Sequence, residues 1–567
     1  MKLKLVIPAL LALTSSLVAG PSKIAQDLSV LGTGNVDVII RFRVIPGSPE
    51  TNKVVRAGGY LKRVLRSSRA GLFSVPRSAL LRIAADPEVI YLSPDRGMHA
   101  KLEYAEPTTN ANLAFLQGVI GTGVTVAVID SGITSHDDLG GATGSRILFA
   151  QSFVPGDTTT DDAYGHGTHV AGIIAGNATD STGSQYTNTF LGIAPGANLV
   201  NLRVLDENGQ GSDSAVIAAI DEAVALQSVY NIRVINLSLG REVYESYRLD
   251  PLCIAVETAY QAGITVVVAA GNEGRDNSVG NDGYGTIAAP ANDPFVITVG
   301  AMKDNGTIDR SDDTIASYSS KGPTPVDQVV KPDLVAPGNL IISALSSINP
   351  TLAQSPATAV ALSFYENGAA PGNSASYYQL SGTSMAAPMV SGTVALMLQS
   401  DSSLTPDVIK ARLMLTASKT FPVSSSVTDA TSGITYVSYY DIFTVGAGYL
   451  DSWAAINSSA TGSGSAASPS VIPVGQGQAQ FASPALPDGQ SSIWGSTSIW
   501  GSTSIWGSTS IWGSTSIWGS TSIWGSTSIW GSWSPAAQSS IWGSTSIWGS
   551  NAASDDAQSL AISLHGE

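Results

Sequence analysis

Of 567 residues only 13% are charged, and 28 Lys+Arg against 44 Asp+Glu give a net charge of −16. That balance argues against a generic nucleic-acid binder, which needs a basic footprint to displace counterions from phosphates. The length allows about three or four domains with a sizeable core, and a single cysteine, Cys253, excludes intrachain disulfides and cysteine-built zinc cages.

Charge is unevenly spread. Residues 1–100 hold 14 basic and 6 acidic side chains, net +8, and the remainder 14 and 38, net −24. No Lys or Arg follows Lys419, and ten of the eleven Trp lie between Trp494 and Trp548. Lys2 and Lys4 precede an apolar run, Leu5–Val18, and the small residues Ala19 and Gly20. Residues 1–20 therefore read as a secretory signal peptide, and the chain as secreted. The run is too short and interrupted for a transmembrane segment, and no other stretch qualifies.

Residues 35–96 form a small basic module with strands expected at Val36–Phe42, Leu72–Val75 and Val89–Leu92, and helical spacing over Arg77–Ala85. A core of this size is marginal, so the module suits docking against something larger. From about residue 120, buried-strand runs at Val124–Ile129, Leu199–Leu205, Val234–Leu239 and Ile264–Ala270 alternate with helical segments at Asp213–Leu226 and Leu252–Ala262. Thr405-Pro406-Asp407 opens a further helix over Val408–Ala417. The alternation predicts a doubly wound α/β domain with its reactive groups beyond the carboxyl ends of the strands. Cys253 sits in an apolar stretch, Leu252–Val256, and reads as a buried structural thiol.

Residues 457–492 are rich in Ser, Gly, Ala and Pro and read as a flexible linker. A hexapeptide, Ser-Ile-Trp-Gly-Ser-Thr, then repeats over 493–550, followed by a C-terminal tail, 551–567. As strands the repeat would set Trp on one face and Ile on the other, in stacked short coils. Its Trp faces could instead meet glycans or a cell surface, and a sticky low-complexity tail is the third alternative.

Four segments carry chemistry. Asp130 ends a buried strand in Val126–Gly132, and His166 opens a small-residue helix in Gly165–Gly172. Asn272 ends another strand in Val268–Gly274, and Ser384 sits where a loop enters a helix in Ser381–Pro388. Pro388 suits that helix's first turn, where a missing N–H costs nothing. Each residue alone has a structural reading, as a turn former, a core histidine, a turn amide or a helix cap. Together they supply an orienting acid, an imidazole base, a hydroxyl nucleophile and an amide donor, the parts acyl transfer needs.

These segments resemble the signature blocks of the subtilisin-like serine peptidases, the subtilase family, in the chain order Asp, His, Ser. Ser317–Pro323 and Lys331–Gly338 resemble two further blocks, and the likeness spans residues 105–456. The resemblance implies a subtilisin-like parallel sheet and a serine endopeptidase acting on proteins or peptides without a catalytic cofactor. Ser384 would be nucleophile, His166 base, Asp130 the group that orients it, and Asn272 the oxyanion donor. His169 reads as structural, and no metal ligand is assigned. Ser238-Leu239-Gly240 and Gly209-Gln210-Gly211 would flank an extended substrate. Ala269-Ala270-Gly271 would wall a pocket whose base, Ile287–Pro290, lacks a carboxylate, which implies broad cleavage after apolar or bulky residues.

Asp138 lies where some relatives place a calcium ligand, so a structural calcium is allowed, and Asn339–Leu380 looks like an insertion near the site. Residues 21–104 resemble the inhibitor-like propeptide, a small α+β ferredoxin-like domain that assists folding and then blocks the enzyme. Self-cleavage would fall between Gly97 and Glu106. The competing expectation is an inactive scaffold of the same fold that serves adhesion through the Trp repeat.

Overall fold

The computed structural model describes residues 23, 24, 28, 33–65, 69–94, 102–141, 144–278, 280–429, 432–461, 464–475, 478–482 and 560–566. The expected signal peptide, residues 97–101 of the expected self-cleavage window and the hexapeptide repeat lie outside them. The chain divides into two compact units at Met98/His99.

The first unit runs β1 (Asn35–Phe42), α1 (Ser48–Arg56), β2 (Tyr60–Leu65), β3 (Ala70–Pro76), α2 (Leu80–Ala84) and β4 (Val89–Pro94). Its antiparallel sheet has the order β2-β3-β1-β4, a split βαββαβ arrangement. Val38, Ile40, Phe73, Val75 and Leu80 form its core, each fully shielded from solvent. Helix α1 and strand β2, not expected from the sequence, are rich in charged residues and bury a single side chain, Val54.

The second unit is built on β5 (Thr125–Asp130), β6 (Ile147–Ser152), β7 (Asn198–Arg203), β8 (Ile232–Leu237), β9 (Thr265–Ala269), β10 (Ile297–Lys303), β11 (Thr314–Ile315) and β12 (Leu334–Pro337). They form one sheet in the order β11-β10-β9-β8-β5-β7-β6, with β12 also paired to β10, parallel throughout except for β11. All six residues of β5 are buried, as a central strand covered on both faces requires. One face carries α3 (His166–Ala175) and the 18-residue α4 (Thr383–Ser400) in the larger core. The other carries α5 (Asp213–Ala225) and α6 (Pro251–Gln261). Helix α5 starts where Ser212 Oγ accepts the Ala215 N–H, and α6 where Asp250 accepts the Leu252 N–H, so both begin on capping side chains. Cys253 is wholly buried in α6, and burial pushes its thiol well above the ordinary range, which leaves it unreactive.

Strand order reverses at β5: the chain passes to β6 and β7 on one side and to β8 on the other. Asp130, the last residue of β5, is thereby placed at the crevice such a reversal opens.

The expected linker differs from its reading at its start. Ser465, Ala466, Ala467 and Ser468 are buried. Ser468 Oγ donates to Asp333, whose carboxylate also pairs with Lys331 at 2.7 Å and Lys410 at 3.1 Å in the interior. The Val330 N–H donates to the Pro469 carbonyl and the Val471 N–H to the Gln328 carbonyl. Composition pointed to flexibility because these side chains are small. The buried ion cluster fixes them through hydrogen bonds that composition does not report.

Candidate active site

Asp130 and His166 meet directly. His166 Nδ1 lies 2.8 Å from Asp130 Oδ1, which also accepts the Ser131 N–H at 2.7 Å. The contact depends on close backbone approach: a Cβ on Gly167 would stand 2.2 Å from the Gly132 carbonyl oxygen. Gly165, which caps α3 at φ +108°, takes a backbone conformation that favours glycine. A second carboxylate, not read from the sequence, completes this corner. Buried Asp162 accepts the Gly165 N–H at 2.6 Å, the Thr168 N–H at 2.7 Å and Ser131 Oγ at 2.7 Å, while Ser131 Oγ accepts the Gly167 N–H. Burial opposes the charged form of His166. The charge and hydrogen bond of Asp130 and the charge of Asp162 outweigh it, so the imidazole titrates above its usual value.

Ser384 is the second residue of α4, which packs against α3. Its hydroxyl donates to the Ser238 carbonyl at 3.0 Å, and among the described residues no hydrogen bond joins it to His166. Pro388 is not in the first turn of α4, as expected, but in its second, because the helix starts at Thr383. A residue with an N–H there would bond the Ser384 carbonyl. Proline leaves that carbonyl to accept Ser238 Oγ at 2.8 Å. Ser238 thus holds Ser384 at both ends, donating to its carbonyl and accepting from its hydroxyl.

Asn272 Oδ1 accepts the Thr383 N–H at 2.9 Å and Thr383 Oγ1 at 3.1 Å. Its Nδ2 is thereby turned away from those donors, beside Gly382, where a Cβ would approach it to 3.3 Å. The Ser384 N–H belongs to the first turn of α4, where N–H groups have no intrahelical acceptor.

The predicted substrate-facing segments lie in loops. Gly209 follows a turn closed by its own N–H to the Asp206 carbonyl, and Leu239 and Gly240 are accessible after β8. Ala269 and Ala270 are buried at the end of β9, and Gly271 has φ +107° against Ser320. The Ala288 N–H bonds the Ala270 carbonyl, and Ala289 exchanges both backbone hydrogen bonds with Arg241, so Ile287–Pro290 bridges from the end of β9 to Gly240–Arg241. Within Asn339–Leu380, the Thr351 and Leu352 N–H groups donate to the Ala163 and Tyr164 carbonyls, and Thr351 Oγ1 donates to the Glu207 carbonyl. This segment therefore braces both the His166 loop and the Gly209 turn. Tyr164 stands between them: its ring centroid is 6.4 Å from that of His166, and a Cβ on Gly209 would strike it at 2.6 Å.

His169 is buried, its Nε2 bonds the Ile341 carbonyl at 3.0 Å, and burial and the neighbouring His166 hold its pKa down to about 3. It is a neutral structural group. Around Asp138, the groups His136, Asp138 and Asp180 offer one ligand atom each within 4.8 Å of one another, two carboxylates where calcium takes six to eight oxygen ligands. Asp138 Oδ1 accepts the Asp180 N–H and Oδ2 the Tyr377 hydroxyl. The neighbouring His136 accepts the Asp138 N–H at Nδ1 and uses Nε2 on the Ser376 carbonyl, leaving no lone pair for a metal. Arg146 donates to the carbonyls of Asp138, Gly140, Ala175 and Ala197, so the positive group here belongs to the chain itself. Arg146→Met would strand the Ala175 and Ala197 carbonyls, those of Asp138 and Gly140 keeping Asn177 as donor, and should lower the unfolding free energy by about 2 kcal/mol or more, read from urea denaturation.

A family model described as "Subtilase family" matches residues 121–439. Serine protease AprX of Bacillus subtilis (strain 168) is 38% identical over 346 residues, covering 59% of this chain and 70% of the relative. Subtilisin E of the same organism is 31% identical over 423 residues, 73% of this chain and 93% of the relative. A thermostable alkaline protease of Halalkalibacterium halodurans is 35% identical over 308 residues, 54% and 66% of the two chains. On the match over residues 121–439 and these identities, the chain belongs to the subtilase family of serine peptidases.

Proposed function

We propose that this chain is a secreted serine endopeptidase that cleaves proteins through an acyl-enzyme on Ser384 and is made as a self-processing zymogen. The observation that carries the reading is the Asp130–His166 hydrogen bond, with the Asn272 amide oriented by Thr383 next to Ser384. Ser384 Oγ swings from the Ser238 carbonyl to His166 Nε2, which takes its proton as the oxygen bonds the substrate carbonyl carbon. Asp130 accepts Nδ1–H, which keeps the Nε2 lone pair free to act as base and then stabilises the imidazolium. The tetrahedral oxyanion lies between Asn272 Nδ2 and the Ser384 N–H. His166 returns the proton to the leaving amine, and water repeats the sequence on the ester to release the acid and restore Ser384.

Ser238–Gly240 and Gly209–Gly211 would hold the substrate as an added strand. Ala269–Gly271 with Ile287–Pro290 would form an uncharged pocket for apolar or bulky side chains, of weak discrimination. The first unit would serve as folding assistant and inhibitor. Its net charge, opposite to that of the rest of the chain, speeds encounter.

Two tests follow from the zymogen reading and the titration of His166. Wild-type protein should acquire a new N-terminus between Gly97 and Glu106, read by Edman degradation or intact mass, and purified Ser384→Ala should keep its full length. Maturation of that variant at the same bond would rule out self-processing. Because the imidazole must be neutral to accept a proton, kcat/KM should rise with pH through a midpoint above the ordinary ~6.5 of histidine. Asp162→Asn removes one of the charges that raises the His166 pKa and should move that midpoint to lower pH.

A further inference from the structure

Beyond the repeat, residues 560–566 return to the second unit. Ile562 is 2% exposed and belongs to the same hydrophobic cluster as α3 and α4, with Leu564 packed at its edge. The Ser563 carbonyl accepts the Ser381 N–H at 3.0 Å. Gly566 lies so close that a Cβ would stand 2.7 Å from Ser381 Oγ, 2.8 Å from Asn339 Oδ1 and 3.0 Å from Leu340. Ser381 directly follows β13 (Asn373–Leu380), whose last residue pairs with Ile341. The next N–H in line, that of Ser381, is taken by the returning segment.

The upstream flank of the repeat is fixed as well, through Ser465–Ser468 and the Asp333 cluster. We infer that Leu560–Gly566 is an intramolecular ligand of the surface formed by Asn339, Leu340 and Ser381. The Trp-rich repeat is therefore held to the peptidase domain on both flanks instead of trailing from one. The surface takes a short apolar segment that buries an Ile-x-Leu pair and offers a backbone carbonyl between them. Tethering keeps the segment at high effective concentration, so modest contacts suffice to hold it. The inference goes beyond the proposed activity and is independent of turnover at Ser384.

Hydrogen exchange read by mass spectrometry tests it, on the full chain carrying Ser384→Ala to prevent self-digestion. Ile562→Asp should speed exchange of the peptide containing Ser381 by roughly tenfold or more, because burying a charge there undocks the segment. Exchange in Ile232–Leu237 should stay unchanged. If Ile562→Asp disturbs that strand too, Leu564→Ser, at the edge of the cluster, should give the same local release without it. Unaltered exchange at Ser381 in Ile562→Asp, or in Leu564→Ser where that variant is needed, would overturn the inference.

Discussion

Replacing Ser384 by Ala should lower kcat on a peptide substrate by on the order of 10⁶-fold, the size of the effect when the serine of a subtilisin is removed. The change deletes the atom that forms the acyl-enzyme, and nothing nearby replaces it. The Ser238 hydroxyl is engaged elsewhere, donating to the Ser384 carbonyl. Folding should be little affected. The half-buried hydroxyl makes one described hydrogen bond, to the Ser238 carbonyl, and the carbonyl of residue 384 keeps its own partner after the change. A melting temperature within a few degrees of wild type would accompany the loss of turnover. A large fall in both would mean that misfolding, not missing chemistry, removed activity.

Asp130→Asn should cost about 10⁴-fold in kcat, because it decides where the histidine proton sits. Asp130 Oδ1 accepts from His166 Nδ1 and the Ser131 N–H, while Oδ2 is buried without a described partner. An amide at this position has two orientations. If its oxygen keeps the Oδ1 contacts, its NH₂ is buried unsatisfied, at a cost of about 1–3 kcal/mol. If it turns, the NH₂ donates to Nδ1 and drives the proton to Nε2, which then cannot accept one from Ser384. Steady-state kinetics on the variant would check this, with a loss of less than tenfold contradicting the assigned role. The acid limb of kcat/KM should also move down in pH, because the charge that favours imidazolium is gone.

The parallel sheet and its chemical residues were legible because both leave local marks. Continuous Val/Ile/Ala runs announce strands buried on two faces, and Asp130, His166, Asn272 and Ser384 each stand at a junction of strand or loop with small residues. What stayed hidden depends on contacts between distant segments. Ser131 and Asp162 are ordinary turn residues until folding brings them together 31 positions apart. The brace from Thr351 and Leu352 onto Ala163 and Tyr164 spans 188 positions and rests mainly on backbone N–H groups meeting carbonyls, with the Thr351 hydroxyl the one side chain added, so little in the local pattern reports it. The place of Pro388 in the second turn is equally hidden, because its consequence, a carbonyl freed for Ser238, lies across the fold. The stretch around Ser465–Ser468 was read by its small polar composition, whereas Lys331, Asp333 and Lys410 decide its fate.

Activation of Ser384 is measured most directly by labelling the matured protein with a peptidyl phosphonate that reacts with activated serine hydroxyls, with the adduct located by mass spectrometry. One adduct is expected, on Ser384, absent from Ser384→Ala and strongly reduced in Asp130→Asn. No adduct on properly matured wild-type protein, or an adduct on another residue, would contradict it.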